Sequence, residues 1–179
     1  MAGRAERFWD EERGGYFVDD HGLVARRKEF DDHPTPSGNS MMAFVLLRLA
    51  RIYGDDQLER KAVSVFRLAR PLVERAPTAV GHLLCALDLH FSPPREIAVV
   101  GASEELRRAA LDGFQPNTVF AFTPEPVDDV ALLAGKGLVD GRPAAYVCER
   151  FACQAPVTTP ADLRAALEAP SPAQAPRNS

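Results

Sequence analysis

The pattern of apolar residues changes at Pro93-Pro94, and that change constrains the fold more than any other feature of the chain. Upstream, large apolar side chains recur every three or four residues, the period of a helix with one buried face. Downstream they come in short runs rich in β-branched and aromatic residues, separated by Gly, Pro and Asp. A chain carrying both patterns is neither all-helical nor all-β. The expected class is mixed α+β: helices and a short β-hairpin over 1–92, a small α/β layer over 93–168, and a disordered tail over 169–179. In that tail Pro-Ser-Pro-Ala-Gln-Ala-Pro offers no large apolar anchor.

Within the first part, Tyr16-Phe-Val and Leu23-Val-Ala-Arg flank Asp19-Asp-His-Gly22, a composition that predicts a hairpin turn. Met41 to Tyr53 predicts a helix capped by Asn39 or Ser40 and apolar on nearly every side, with Arg48 and Arg51 sharing one face. A second helix follows Asp55-Asp56 and buries Leu58, Ala62, Val65, Phe66, Ala69, Leu72 and Val73, with Pro71 near its end. A third follows Pro77-Thr78 and stops before Ser92. Short connections imply antiparallel neighbours, as in helical-hairpin bundles and toroids.

In the second part, Glu96 to Gly101 predicts a buried strand, Glu104 to Leu111 a helix capped by Ser103, and Thr118 to Phe122 a second strand parallel to the first. Val127 to Leu133 is expected as a short helix, Ala144 to Cys148 as a third strand, and Pro160 to Leu167 as a closing helix with proline in its first turn.

Composition excludes several classes. Hydrophobic residues make up 46% and charged residues 26%, and the net charge is −4. No apolar run reaches the ~20 residues of a membrane span, and an acidic balance gives nucleic acid no general attraction. Neither nucleic acid nor membrane is an expected partner. The polar start lacks a secretion signal, which makes the cytoplasm the expected location. Gly101-Ala-Ser103 after a buried strand could present amides to a phosphate at a helix N-terminus, but it lacks the glycine and lysine pattern of a phosphate loop; an ordinary strand-to-helix turn is the plainer reading, and no cofactor is expected.

The chain holds three cysteines, and Cys148 and Cys153 lie together in Ala144-Ala-Tyr-Val-Cys-Glu-Arg-Phe-Ala-Cys-Gln-Ala-Pro156. Cys-x4-Cys fits a redox couple, half of a metal site, or two small buried side chains. An odd count in a reducing compartment favours free thiols, and no second cysteine pair completes a zinc site. No metal is expected. A turn through Glu149-Arg-Phe-Ala152 can bring the two side chains together, so Cys148 and Cys153 stand as candidates for redox or disulfide use, against a plain reading in which Cys148 is a buried strand residue and Cys153 packs on Pro156.

Three stretches together resemble one family: Asp32-His-Pro-Thr-Pro-Ser-Gly-Asn-Ser40, Pro77 to Asp88 with Gly-His-Leu-Leu-Cys-Ala-Leu-Asp, and Ala144 to Pro156. They are similar to the C-terminal region of the YyaL-type, spermatogenesis-associated thioredoxin-domain proteins. The resemblance implies a long parent protein with an N-terminal thioredoxin-like domain and an (α/α) toroid like that of six-hairpin glycosidases and N-acylglucosamine epimerases. This chain would supply only its last part, not catalytic alone. The partners implied are a sugar-like small molecule and the upstream thioredoxin-like and toroid segment, or else a second copy covering the apolar helix.

In a toroid, loops such as 31–40 line the mouth where sugars bind. Asp32, His33 and Asn39 are the candidate catalytic residues, since a carboxylate or imidazole there can orient hydroxyls or exchange protons. The plainer reading has Asp32 and Asn39 bonding backbone amides and Ser40 capping a helix. His82 and His90, two turns apart, are too distant to chelate one ion from one helix.

Overall fold

The computed structural model describes residues 5–19 and 26–169, which form two compact units. The first comprises residues up to 50 with 55–91, and the second comprises 51–54 with residues from 92 onward. Among the described residues there are five α-helices and one four-stranded sheet, a mixed α+β architecture. The expected tail beyond 169 lies outside the described residues.

In the first unit, α1 (Gly38–Tyr53), α2 (Asp56–Arg75) and α3 (Gly81–Phe91) follow the three predicted helices. Asp55 caps α2 by accepting the Gln57 N–H at 2.8 Å. Pro71 lies inside α2, five residues before its C-cap Ala76. A 3₁₀ turn, Pro77–Val80, leads into α3. Ala43, Leu46 and Leu47 of α1, Ala62, Val65 and Ala69 of α2, and Leu83, Ala86 and Leu89 of α3 are buried in one core with Tyr16 and Val80. Each large side chain so buried contributes roughly 1.5–3 kcal/mol. On α1, Leu46 is buried while Met42, Val45 and Leu49 are half-buried.

Two details of this unit differ from expectation. α1 begins at Gly38, so Asn39 and Ser40 sit inside its first turn, and Ser37 does the capping through its Oγ, which accepts the Ser40 N–H at 3.2 Å. Asn39 is left free to reach elsewhere. Residues 20–25, which hold most of the expected hairpin turn, lie outside the described residues. Its described part makes one cross-chain bond, Val18 N–H to Arg27 O at 3.0 Å, and Tyr16 bridges back to Trp9 instead of opening a strand.

The second unit is a sheet in the order β2-β1-β3-β4, with β1 Arg95–Val100, β2 Thr118–Thr123, β3 Ala144–Glu149 and β4 Ala152–Cys153. β1 and β2 are parallel, joined through α4 (Glu104–Ala110), whose N-cap Ser103 accepts the Leu106 N–H at 3.2 Å. β3 runs antiparallel to β1, and β4 folds back on β3. Because successive side chains alternate, Ile97 and Val99 pack with Leu106, Ala109 and Ala110 of α4 and Leu163 of α5 (Pro160–Glu168). Ala98 and Val100 face the other way, onto Val119, Leu132, Leu133 and the side chain of Ile52. Burial on both faces explains why β1 reads as a continuous apolar run.

At the end of β1, Gly101 has φ +100, and a Cβ there would lie 2.8 Å from Pro143 Cα. The position requires glycine for that reason. Residues 127–133 form bends and a turn and not the expected helix. The segment makes only a single turn, with Leu133 and Ala134 both bonding to Val130 O, while Pro124 and Pro126 precede it and Gly135, at φ +69, ends it.

Candidate functional site

The loop from Asp31 to Ser40 is filled by its own hydrogen bonds. Asp32 Oδ1 accepts the Ser37 N–H at 2.8 Å, and Oδ2 accepts the His82 N–H at 2.8 Å and the Leu83 N–H at 3.4 Å. Its carboxylate thus closes the loop and caps the first turn of α3, whose amides point at it. Burial pushes the Asp32 carboxyl up, but the amides of Ser37, His82 and Leu83 and the Ser40 hydroxyl outweigh that and hold it below its ordinary value. A lowered folded-state value contributes stability that is full above the ordinary carboxylate range, near about pH 4, and is lost as pH falls through the lowered value. Asp32→Asn is therefore expected to flatten the acid side of the stability curve, read as urea midpoints between about pH 5 and pH 2; an unchanged slope contradicts the assignment.

Asn39 is 2% exposed and bridges three backbone groups. Its Oδ1 accepts the Tyr16 N–H at 2.7 Å, while Nδ2 donates to Tyr16 O at 2.9 Å and Glu29 O at 2.8 Å. Both amide hydrogens are used, which leaves no donor for a ligand. His33 lies at the surface, its Nε2 2.8 Å from Asp31 Oδ2, with 78% of its side chain exposed. The three candidates of this loop thus do not converge: two hold backbone and one points to solvent. His82 lies tilted against Phe44 at 5.3 Å between ring centres, and His90 lies against Phe66, with Nδ1 3.3 Å from Glu59 Oε1.

At the end of the sheet the polar groups do converge. Cys148 and Cys153 are directly opposed in the β3–β4 pairing and joined by a disulfide, while Cys85 is a free thiol. Cys148 is buried at 3% exposure, as the plain reading has it; Cys153 is exposed and bonded to it, not packed away as a separate thiol. Arg150 and Phe151 form the two-residue turn between the strands, with φ +49 and +64. Two left-handed residues are what a twist-matched hairpin turn needs, yet neither is Gly, Asn or Asp. The turn is costly for these side chains and must be held from outside.

Glu96 holds it. This carboxylate is 1% exposed, and its Oε2 accepts the Phe151 N–H at 2.9 Å. Burial pushes the Glu96 carboxyl up, against the opposing pull of the Phe151 amide, the Arg51 and Lys136 charges and the Arg150 amide. Lys136 is itself 9% exposed, and burial pushes its ammonium down against the attraction of Glu96. The loop carrying Lys136 is fixed by Tyr146, whose hydroxyl donates to Gly137 O at 2.8 Å and accepts the Gly137 N–H at 3.1 Å. Beside the disulfide a cleft of about 240 Å³ is lined by Pro94, Arg95, Asn117, Cys148, Glu149 and Gln154.

Sequence reasoning misses Glu96 and Lys136. A carboxylate opening an otherwise apolar run, Glu96-Ile-Ala-Val-Val, is the one available signal, since a charge buried among such residues needs a partner. Its neighbour is fixed only by the β1–β3 register, which places Glu96 opposite Cys148 across a long intervening segment.

Comparison with known proteins agrees with the motif resemblance. The chain is 29% identical to human spermatogenesis-associated protein 20 over 89% of its own length and 22% of the relative's. The rat and mouse proteins of the same name are each 28% identical, with the same coverage. The chain thus spans about a fifth of the length of the curated relatives it matches, and these carry the family name to which its three motif stretches point. No family model matches the chain, and no solved structure matches it.

Proposed function

We propose that this chain is a thiol–disulfide-responsive accessory module of a longer protein, working through Cys148 and Cys153 and not turning over sugars by itself. The observation that carries this reading is the bond between a buried strand cysteine and an exposed edge-strand cysteine, across a turn that its own residues do not favour. In such an arrangement the disulfide clamps the turn and β4. Reduction frees both, so a change in redox state becomes a change in the edge of the sheet. The resemblance to thioredoxin-domain proteins supplies a natural source of reducing equivalents in the parent chain.

The helical unit is read as the end of an (α/α) toroid, completed by chain that the longer relatives possess. Any carbohydrate chemistry would belong to that assembly, because Asp32 and Asn39 are committed to backbone groups. A cytoplasmic location fits this reading, and no helix among the described residues is long and apolar enough to cross a membrane.

The test is hydrogen exchange on the native protein before and after treatment with dithiothreitol, together with a turnover assay on a panel of sugars. Amides 149–154 should lose protection on reduction, including Phe151 bonded to Glu96 and Gln154 bonded to Val147 O, with the first unit unchanged and no sugar consumed. Reduction that occurs only after global unfolding would assign the bond a purely structural role. Turnover lost in Asp32→Asn would return the loop to the active-site reading.

A further inference from the structure

We propose that Glu96 is the proton donor to Cys148 when the Cys148–Cys153 disulfide is reduced, and the acceptor of that proton when it re-forms. The inference rests on the thiol–disulfide reading above and assigns its proton chemistry. The antiparallel register of β1 and β3 sets Glu96 directly opposite Cys148. Opposed residues of an antiparallel pair project from the same face, with Cβ atoms about 4.5–5.5 Å apart. Ala98 and Tyr146 form the next opposed pair on that face, beside Leu132 and Leu133, so Glu96 and Cys148 lie at the end of an apolar layer.

The charged and amide groups around the carboxyl come from three parts of the fold. Arg51 approaches from the end of α1, Lys136 from the loop fixed by Tyr146, and the amides of Arg150 and Phe151 from the turn. Such a setting supports both states. The apolar layer favours the neutral acid, while the two cations and two amides steady the carboxylate once the proton has left. Burial, the largest influence, keeps the proton on the acid to higher pH than an ordinary glutamate would.

The reductant is a vicinal dithiol. Its first thiolate attacks Sγ of Cys153, the exposed cysteine of the pair, forming a mixed disulfide with it while the Cys148–Cys153 bond breaks. The bonding electron pair leaves on Sγ of Cys148, a poor resting place for charge because the residue is buried. The Glu96 proton neutralises it, leaving a thiol and a carboxylate. The second thiolate of the reductant then attacks its own sulfur in the mixed disulfide and expels Cys153, which takes a proton from water, as Glu96 does. The dithiol is oxidised to a disulfide by two electrons, and the protein disulfide is reduced to two thiols.

The experiment measures the rate of reduction of the native protein by dithiothreitol from about pH 5 to pH 9, divided by the thiolate fraction of the reagent. In the wild type this corrected rate should fall as pH rises through the Glu96 titration. Glu96→Gln keeps an acceptor for the Phe151 N–H but carries no transferable acid proton, so its corrected rate should be flat and at least about tenfold lower at the acid end. A Glu96→Gln profile that superimposes on the wild type overturns the proposal and leaves Glu96 as a brace for the turn. If Glu96→Gln does not fold, Lys136→Met decides: with the cation gone, the wild-type step should move to higher pH, and an unmoved step overturns the proposal. A wild-type disulfide that dithiothreitol does not reduce in the folded protein removes the thiol–disulfide reading itself, a different failure from that of Glu96 alone.

Discussion

Asn39→Ala should destabilise the helical unit by about 4 kcal/mol, the largest single-residue effect expected in this chain. The side chain bonds both backbone groups of Tyr16 and the carbonyl of Glu29, and it is 2% exposed. Truncation leaves the Tyr16 groups buried without partners, and each costs roughly 1–3 kcal/mol. Asn39→Asp refines the test. It still accepts the Tyr16 N–H but turns a carboxylate toward two carbonyl oxygens, which raises its folded-state pKa. A raised carboxyl contributes stability below its unfolded value that is lost as pH rises, so Asn39→Asp should be less destabilising at pH 4 than at pH 7. Urea midpoints for the three proteins measure both effects. A loss under about 1 kcal/mol for Asn39→Ala would reopen the loop as a ligand site.

Replacing both Cys148 and Cys153 by Ala should cost about 2 kcal/mol, the stabilisation that loop-closure entropy assigns to so short a ring. The cost should be local to the second unit. Released from the cross-link, Arg150 and Phe151 need no longer hold positive φ, and the two-residue β4 has little else to keep it paired. In the double variant, the amides of 149–154 should exchange as they do in the reduced wild type. Unchanged protection there would mean that Glu96 alone suffices to hold the turn.

What the residues declare in advance divides along physical lines. Three- and four-residue periodicity is local, so α1 to α3 and their buried positions, such as Ala62, Val65 and Ala69, are legible from the chain. The continuous apolar run Ile97 to Val100 likewise identifies a strand buried on both faces, and a helical crossover makes β2 parallel to it. Cap positions are less legible. Ser37, Asn39 and Ser40 are all competent caps, and what selects Ser37 is the pairing of Asn39 with Tyr16, 23 residues earlier in the chain.

Residues 127–133 carry a helix-like apolar pattern, yet flanking prolines and Gly135 allow only one turn. The candidate site is the least legible part. Cys148 and Cys153 announce themselves, but their neighbour Glu96 is specified by strand register, and the loop of Lys136 by the Tyr146 hydroxyl bonding Gly137, the residue next to it. Neither follows from spacing along the chain.

The most direct test of the account is a redox titration of the native 179-residue protein against dithiothreitol mixtures of graded ratio, with thiols alkylated at each point and counted by mass. Cys148 and Cys153 should become alkylated together as one two-electron couple while helical circular dichroism stays constant, and Cys85 should be alkylated throughout. Cys148 and Cys153 already alkylated at the most oxidising ratio, or becoming so only as the helices unfold, would contradict the account.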